Sequence, residues 1–291
     1  MKLILLAAGF ATRMYPLTRD RAKPLLEVGG EAILDHIVRR ALTIETIDAA
    51  VLVTNGRFRA DFDRWAASGE WRVPVTVIDD GVLEADERLG AVADMQLAIE
   101  AACPAEDEPL LVMAGDNLIG FDLSLLDEEF RRRGHSLVVM RELDGPMPPS
   151  HFGEITTDGE GIVTAFREKP ADPRSPLAST GIYFFAPAVR PLLREYLEAD
   201  GEGDAPGHFL SWLVHRIPVA AAPIPGPWFD VGSLATLAEA RAAFGDADDP
   251  AASGAPEGQS DGDAHEVMKA ALRLLRRNLG LGDSSGPRPP E

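Results

Sequence analysis

Four cations follow the first hydrophobic run of this sequence, although the chain as a whole is strongly acidic. The run Lys2–Gly9 (KLILLAAG) predicts a buried strand that ends in a glycine-containing turn, and Arg13, Arg19, Arg21 and Lys23 come soon after it. In a protein with a formal net charge of −19, this local cluster predicts a site for an anion. The turn offers backbone N–H groups and the side chains add positive charge, so the anion that fits is a phosphate or polyphosphate.

The elements that must position these cations alternate along the first half of the chain. Apolar, β-rich segments are separated by amphipathic helical ones, which is the pattern of a mainly parallel sheet with helices on both faces. Ligands of such sheets bind beyond the carboxyl ends of the strands. The residues that follow the predicted strands are therefore site candidates: Gly9 to Arg13, Asn55, Asp79, Asp80, Asp116 and Asn117.

The second half of the chain adds further strands and then an acidic end. Beyond residue 134 most segments are strand-like, and Asp158-Gly159 marks a hairpin turn, so we expect a mixed sheet that makes residues 1–244 one domain. Residues 245–262 are acidic and rich in small residues, which predicts a flexible linker. An amphipathic helix is predicted over 263–280, where it would dock or self-associate, and a disordered tail over 281–291.

Composition excludes several classes of protein. The acidic balance disfavours nucleic acid and anionic membrane as partners, because both require a positive surface. The single cysteine, Cys103, fits a reducing cytoplasm and an apolar core position. The apolar N-terminal stretch is too short for a signal peptide and no segment has the length of a membrane span, so we expect a soluble cytoplasmic protein.

The opening motif resembles a known signature. The stretch LAAGFATRMYPLTRDRAKPLLEVGG, residues 6–30, is similar to that of the sugar-phosphate nucleotidyltransferases, also called NDP-sugar pyrophosphorylases. The resemblance implies a Rossmann-like, GT-A-like α/β fold with a mixed, mainly parallel sheet, and it gives Arg13 and Lys23 catalytic roles. Ala11 departs from the pattern, because many members have a glycine there. The residues implied to bind the nucleotide are Leu6, Ala7, Ala8, Gly9 and Thr12.

Two aspartates fall within further motifs of the same family. LVMAGDN resembles the strand that ends in G-D-N, and PWFDVGS resembles W-x-D-x-G-[ST]. The resemblance implies that Asp116 and Asp230 hold a Mg²⁺ ion. Carboxylates together with phosphate oxygens are suitable ligands for this hard cation.

The acceptor half of the site is implied by FGEITTDGEGIVTAFREKP and the following STGIYFF. By match to the family motif, Gly153 allows the sugar to approach the backbone. Glu168 is implied to bind sugar hydroxyls and Lys169 the sugar phosphate, while Thr180 and Gly181 line the same pocket.

The base-binding half is implied by ADERLGAVADMQLAIE. Gly90 matches the family's glycine, whose backbone meets the base, whereas Ala91 and Asp94 depart from the commoner residues. Glu87 either accepts hydrogen bonds from a guanine edge or only begins the helix, and the nucleobase stays open.

The reaction implied by the resemblance joins an NTP and a sugar 1-phosphate to give an NDP-sugar and pyrophosphate, with Mg²⁺ as cofactor. Two alternatives stay open: a cytidylyltransferase for another phosphorylated acceptor, such as phosphocholine or a polyol phosphate, and a non-catalytic nucleotide-sugar-binding regulatory protein. An NAD-dependent oxidoreductase is disfavoured, because the first turn lacks G-x-G-x-x-G. The terminal helix is compatible with a homo-oligomer.

Overall fold

The computed structural model describes residues 1–103, 105–199 and 201–245. Thirteen strands are described: β1 (Lys2–Leu6), β2 (Glu27–Val28), β3 (Glu31–Ala32), β4 (Ala49–Thr54), β5 (Val75–Asp79), β6 (Leu110–Ala114), β7 (Asn117–Ile119), β8 (Ser136–Glu142), β9 (Glu154–Thr157), β10 (Val163–Arg167), β11 (Leu177–Phe185), β12 (Val219–Pro223) and β13 (Trp228–Asp230). Seven α-helices are described: α1 (Ile33–Ala41), α2 (Arg59–Ser68), α3 (Ala91–Ala102), α4 (Ser124–Arg133), α5 (Val189–Glu198), α6 (Pro206–Leu213) and α7 (Leu234–Phe244).

The central sheet has nine strands and β1 lies in its middle. β1 pairs in parallel with β4 and β6, and β5 continues the parallel part beyond β4. β11 runs antiparallel to β6, and β8 and β12 extend the sheet beyond β11. Only β10 and β11 oppose the other seven strands, so the prediction of a mixed, mainly parallel sheet is confirmed.

The residues of β1 explain why this segment forms the central strand. Leu3, Ile4 and Leu5 are completely buried, and alternate side chains of a strand point to opposite faces of the sheet. Leu3 and Leu5 belong to the core under α1, α2, α4 and α7, whereas Ile4 belongs to the core under α3, α5 and α6. A continuous apolar run is what a strand covered on both faces requires.

The β9–β10 hairpin places the acceptor motif beyond the end of β6. Its turn forms as the sequence predicts, because the Asp158 carboxylate accepts hydrogen bonds from the N–H groups of Glu160 and Ile162, each at 2.9 Å. The long strand β11 extends past β6, and there Ala178 pairs with Glu154 of β9. The hairpin therefore lies beside the carboxyl ends of the parallel strands.

The last described helix, α7, ends at Phe244, and the domain boundary after residue 244 stays a prediction. Apart from Gly245, the predicted linker at 245–262, helix at 263–280 and tail at 281–291 lie outside the described residues. The longest described helix, α3, has 12 residues. Within the ranges that the structure describes, no helix has the length and apolarity to cross a bilayer.

Candidate active site

The loop after β1 lies at the carboxyl edge of the sheet, with Gly9 exposed to solvent. Ala7 donates its N–H to Val53 of β4 at 2.8 Å, and the Asn55 side chain donates to the carbonyl of Ala8 at 2.8 Å. Gly9 is exposed, and a Cβ built on it would meet nothing within 4 Å. The strand ends thus fix the start of the loop and leave space above Gly9 for a ligand.

Ala11 adopts a left-handed backbone conformation, with φ 49° and ψ 41°. This conformation costs an L-residue about 1–2 kcal/mol, which explains why a glycine occupies this position in the family pattern. The Ala11 carbonyl accepts hydrogen bonds from Met14 N–H at 2.9 Å and from the Thr18 hydroxyl at 2.8 Å. These bonds hold the strained turn, so alanine takes the backbone conformation that a glycine would adopt freely.

The two predicted catalytic cations differ in their surroundings. Arg13 lies in a short 3-10 turn (Thr12–Met14), is exposed, and has no ion pair within residues 1–103, 105–199 and 201–245. Lys23 begins the 3-10 turn Lys23–Leu25, has only 13% of its side chain exposed, and donates a hydrogen bond to Asp116. Thr12 is exposed beside Arg13. Arg13 is therefore free to bind an anion, while Lys23 is already positioned by a carboxylate.

Asp116 and Asp230 are brought together by a small two-stranded sheet. β7 and β13 pair antiparallel, with Asp230 opposite Asn117, and Val231 N–H donates to the Asp116 carbonyl at 3.2 Å. The Asn117 side chain accepts a hydrogen bond from Trp228 Nε1 at 2.8 Å and donates to Asp116 Oδ1 at 3.2 Å. The Asn117 amide therefore links Asp116 to β13, the strand that carries Asp230.

Burial raises the pKa of Asp230, and the charge of Asp116 raises it further. The charges of Lys23, His151 and Lys169 lower the pKa of Asp230 in part. Within the described ranges, the Asp230 carboxylate accepts no hydrogen bond from a side chain or backbone N–H. Two carboxylates close together with one unpartnered make a place where a cation is favoured.

The residues present fit Mg²⁺, because its preferred ligands are oxygens. No group of three or more His, Cys, Asp or Glu residues that could hold a metal ion exists in the described part of the chain. The pair of Asp116 and Asp230 would therefore share the ion with phosphate oxygens and water, as Mg²⁺ bound to a nucleotide commonly does.

The predicted acceptor glycines lie where side chains have no room. A Cβ on Gly153 would come within 2.6 Å of the Phe166 ring, and a Cβ on Gly181 within 2.8 Å of the Asn117 amide nitrogen. Gly181 also has φ +74°, at a shift in the register between β11 and β8. The Gly181 contact places β11 against the Asn117 side chain, which is hydrogen bonded to Asp116.

Glu168 and Lys169 follow β10 and lie side by side. Lys169 Nζ is 3.5 Å from Glu168 Oε1, and Lys169 is 56% exposed. Lys169 also has φ 40°, an unfavourable conformation for a lysine. The Thr180 hydroxyl, in contrast, is buried and donates to the Val139 carbonyl at 2.9 Å, so only the backbone of Thr180 can serve the pocket.

The predicted base-binding segment borders a cavity of about 480 Å³. Gly90 lines it together with Asp86, Arg88 and Asp204, whereas the predicted Glu87 does not line it. Gly90 has φ +94°, and a Cβ there would lie 2.5 Å from the carbonyl carbon of Gly203. The positive φ and the close contact with Gly203 thus require a glycine at position 90, and its backbone also borders the cavity that a base would enter.

Several contributors were missed by the sequence prediction. Trp228 lies inside a quoted motif from which only Asp230 was assigned. Asn117 was a site candidate by its place after a strand, but its hydrogen bonds to Asp116 and Trp228 were not predicted. Arg57 follows β4 and donates to the carbonyl of Arg19, which ties the cationic loop to the next strand. Arg21, one of the four cations of the opening cluster, instead forms an ion pair with Glu27 at 2.8 Å. Residue type alone gave no signal for Arg57, because its partner is a backbone carbonyl.

Comparison with known proteins gives one family. The model of the nucleotidyl transferase family matches residues 2–246. A glucose-1-phosphate thymidylyltransferase of Streptomyces antibioticus is 29% identical over 247 residues, which cover 82% of this chain and 65% of that protein. A UTP–glucose-1-phosphate uridylyltransferase of Haloferax volcanii is 30% identical over 191 residues, with 65% and 73% covered.

Solved structures show the same fold. A Bacillus anthracis protein assigned as a glucose-1-phosphate thymidylyltransferase, crystallised with sucrose, superimposes with a TM-score of 0.72 at 24% identity and covers 91% of this chain and 99% of its own. A UDP-glucose pyrophosphorylase with bound UDP-glucose gives 0.71 at 21% identity, with 84% and 97% covered. The chain spans 61–65% of the length of the first three curated relatives it matches.

Proposed function

This chain belongs to the nucleotidyl transferase family, and we propose that it transfers a nucleoside monophosphate from an NTP to a sugar 1-phosphate with release of pyrophosphate. One observation carries the proposal. Lys23, Asp116 and Asp230 converge from three separate segments, and Lys169 from a fourth is close enough for its charge to act on Asp230. Two half-buried carboxylates near two ammonium groups suit a reaction between two phosphates.

The proposed reaction requires positioning and charge neutralisation more than a covalent nucleophile. A phosphate oxygen of the acceptor attacks the α-phosphorus, and the bond to the oxygen that bridges the α- and β-phosphates breaks. Pyrophosphate leaves with the electron pair. Lys23 lies at the carboxylate pair, where it neutralises the transferred phosphate, and the free guanidinium of Arg13 binds the departing β,γ-phosphates.

Asp116 and Asp230 would hold the Mg²⁺ ion. When bound, the ion neutralises phosphate charge at the reacting centre. The chain's own part is to keep the two carboxylates together, which the pairing of β7 with β13 and the Asn117–Trp228 hydrogen bond do. Held in this way, β7 and β13 would not need to rearrange for the two carboxylates to take the ion.

The acceptor end is proposed to hold a sugar 1-phosphate. Lys169 binds its phosphate, and the Glu168 carboxylate accepts hydrogen bonds from sugar hydroxyls. The names of the relatives support this acceptor class, since the thymidylyltransferase and the uridylyltransferase are both named for glucose 1-phosphate.

A matrix of substrates tests the proposal. ATP, GTP, CTP, UTP and dTTP are each combined with several sugar 1-phosphates, phosphocholine and a polyol phosphate, and pyrophosphate release is measured with Mg²⁺ or with EDTA. We expect turnover with at least one sugar 1-phosphate, its loss in EDTA, and a strong decrease for Lys169→Ala. Arg194→Ala, an exposed cation on α5, is the control. Turnover only with phosphocholine or polyol phosphate, or with no pair, would contradict the proposal.

A further inference from the structure

The first turn of α6 lies directly against the Glu168 carboxylate. A Cβ built on Gly207 would come within 2.9 Å of Glu168 Cδ and closer still to Oε2, and within 2.6 Å of the Phe166 ring. Cβ atoms essentially never come within 3.0 Å of another heavy atom. The backbone of Gly207 does not have positive φ, and alanine is favoured over glycine in helices. The contacts with Glu168 and with the buried Phe166 ring, not the helix, are therefore the reason for a glycine here.

α6 is fixed to the strand that carries Glu168. The Ser211 hydroxyl donates to the carbonyl of Phe166, the last-but-one residue of β10, at 2.8 Å. Phe209 and Leu210 on the same helix are fully buried in the core. Because the helix is held at its middle, its first turn forms a wall against which the Glu168 side chain, only 12% exposed, rests.

The segment that precedes α6 reaches the other half of the site. The carbonyls of Gly203 and Asp204 accept hydrogen bonds from the N–H groups of Val92 at 2.9 Å and Ala91 at 3.1 Å. These are the first N–H groups of α3, which have no partner within their own helix. Gly90, the predicted base-binding residue, packs on Gly203. Residues 203–207 thus contact both the predicted base-binding residue Gly90 and the predicted acceptor-binding residue Glu168.

We propose that Gly207 is a positioning residue for Glu168. Its missing side chain allows the carboxylate to withdraw to the wall of α6, and this sets the depth of the pocket that receives the acceptor's hydroxyl groups. The inference rests on the proposed function in naming the acceptor a sugar phosphate. The contact that it uses is independent of that assignment.

The kinetic test is Gly207→Ala. The added methyl group displaces the Glu168 carboxylate from the wall of α6 and also presses on the Phe166 ring. Misplacement of a positioned group by about 1 Å costs up to about a hundredfold in rate. We expect the KM for the sugar 1-phosphate to rise roughly tenfold or more, while the KM for the NTP stays near wild type. Gly145→Ala is the matched control, because a Cβ on Gly145 meets nothing within 4 Å.

A rescue variant separates positioning from general damage. In Gly207→Ala/Glu168→Asp the carboxylate is one methylene shorter and clears the methyl group, so part of the acceptor affinity should return relative to Gly207→Ala. Acceptor KM unchanged in Gly207→Ala, or the KM values of both substrates raised equally, would overturn the inference.

Crystal structures of wild type and Gly207→Ala provide a readout that needs no turnover. We expect the Glu168 carboxylate to move by about 1 Å or more and the Phe166 ring to adjust beside it, with the backbones of β10 and α6 in place. If α6 moves instead and Glu168 stays, the inference is wrong even where turnover supports the proposed function. If Glu168 moves but no substrate pair reacts, the positioning stands and the proposed function fails.

Discussion

In the described part of the chain, Asp230 beside Asp116 and Asp94 beside Asp80 are aspartates with a raised pKa, and the two sites differ in what surrounds them. Burial and the charge of Asp116 raise the pKa of Asp230. Burial and the charge of Asp80 raise the pKa of Asp94 to about 7. Both pairs lie near the carboxyl ends of sheet strands, Asp116 after β6 and Asp80 after β5. Raised pKa alone would therefore mark both as functional candidates.

The difference lies in the cations. The ammonium groups of Lys23 and Lys169 lower the pKa of Asp230, as does the His151 imidazole when it is protonated, but no positive group within the described residues acts in this way on Asp94. Only 4% of Asp94 is exposed. Its Oδ1 has no hydrogen-bond partner in the described part of the chain. The surroundings of Asp116 and Asp230 therefore suit phosphates and a cation. The buried Asp94 beside Asp80 instead lowers the stability of the folded state, because no cation or hydrogen bond in the ranges that the structure describes offsets the burial of its charge.

Removal of Lys23 should have the largest effect. Lys23→Ala takes away the ammonium group that is hydrogen bonded to Asp116, and the transferred phosphate loses its neutralising charge. Loss of such a group typically lowers kcat by about 10²–10³-fold. Pyrophosphate release and thermal unfolding measured together should show a folded protein of very low turnover.

The control is Arg21→Ala, because Arg21 is exposed and pairs with Glu27. An exposed ion pair contributes about 0–1 kcal/mol, so turnover should stay near wild type. If Lys23→Ala and Arg21→Ala have the same turnover, the first pair is no more functional than the second.

Asp94→Asn should change stability and leave turnover near wild type. The pKa of Asp94 is about 7 in the folded state against an ordinary value of 3.8, so the folded state binds more protons than the unfolded state between these values. The free energy of unfolding of wild type must then fall as pH rises from about 4 to about 7. At about 1.4 kcal/mol per pKa unit, the cost above pH 7 is at most about 4 kcal/mol.

Urea unfolding at several pH values measures this slope. Asp94→Asn should be more stable than wild type at pH 8, with the difference disappearing toward pH 4. Asp80→Asn should reduce the slope only in part, because burial is the larger cause of the raised pKa. Equal slopes in wild type and Asp94→Asn would show that Asp94 does not titrate in this range.

His151→Gln should have the smallest effect. His151 is exposed, and its ring packs edge-on against Phe152 at 4.4 Å between centroids, which in turn packs on Trp228. An exposed charge is worth up to about 1 kcal/mol, so the KM for the acceptor should rise by about two- to fivefold. His135→Gln, another exposed histidine, is the control. A hundredfold loss of kcat would place His151 among the reacting groups.

Much of the fold could be predicted from the sequence because its signals are local. The apolar run of β1, the helical segments between strands and the Asp158 turn each follow from neighbouring residues. The metal and phosphate residues came from the family resemblance, since Asp116 and Asp230 are far apart in the chain and no local pattern joins them.

What could not be predicted depends on long-range contacts. The Thr180 hydroxyl is directed to Val139 because strand pairing around Gly181 shifts register. The contact of Gly207 with Glu168 needs α6 to be placed beside β10, which no sequence pattern specifies. The same holds for Asp94, whose burial beside Asp80 follows from how α3 packs on the sheet.

Asp230→Asn is the sharpest test of the proposed metal site, because it should change activity and stability in opposite directions. The ionised carboxylate of Asp230 is disfavoured in the folded state by burial and by Asp116, so a neutral amide should raise the free energy of unfolding at pH 8 without Mg²⁺. The same change removes a proposed ligand of the ion. We predict a more stable protein that has lost Mg²⁺-dependent pyrophosphate release by about 10³-fold or more. A variant that is less stable than wild type, or one that keeps wild-type turnover, would contradict the proposed role of Asp230 as a half-buried ligand of the ion.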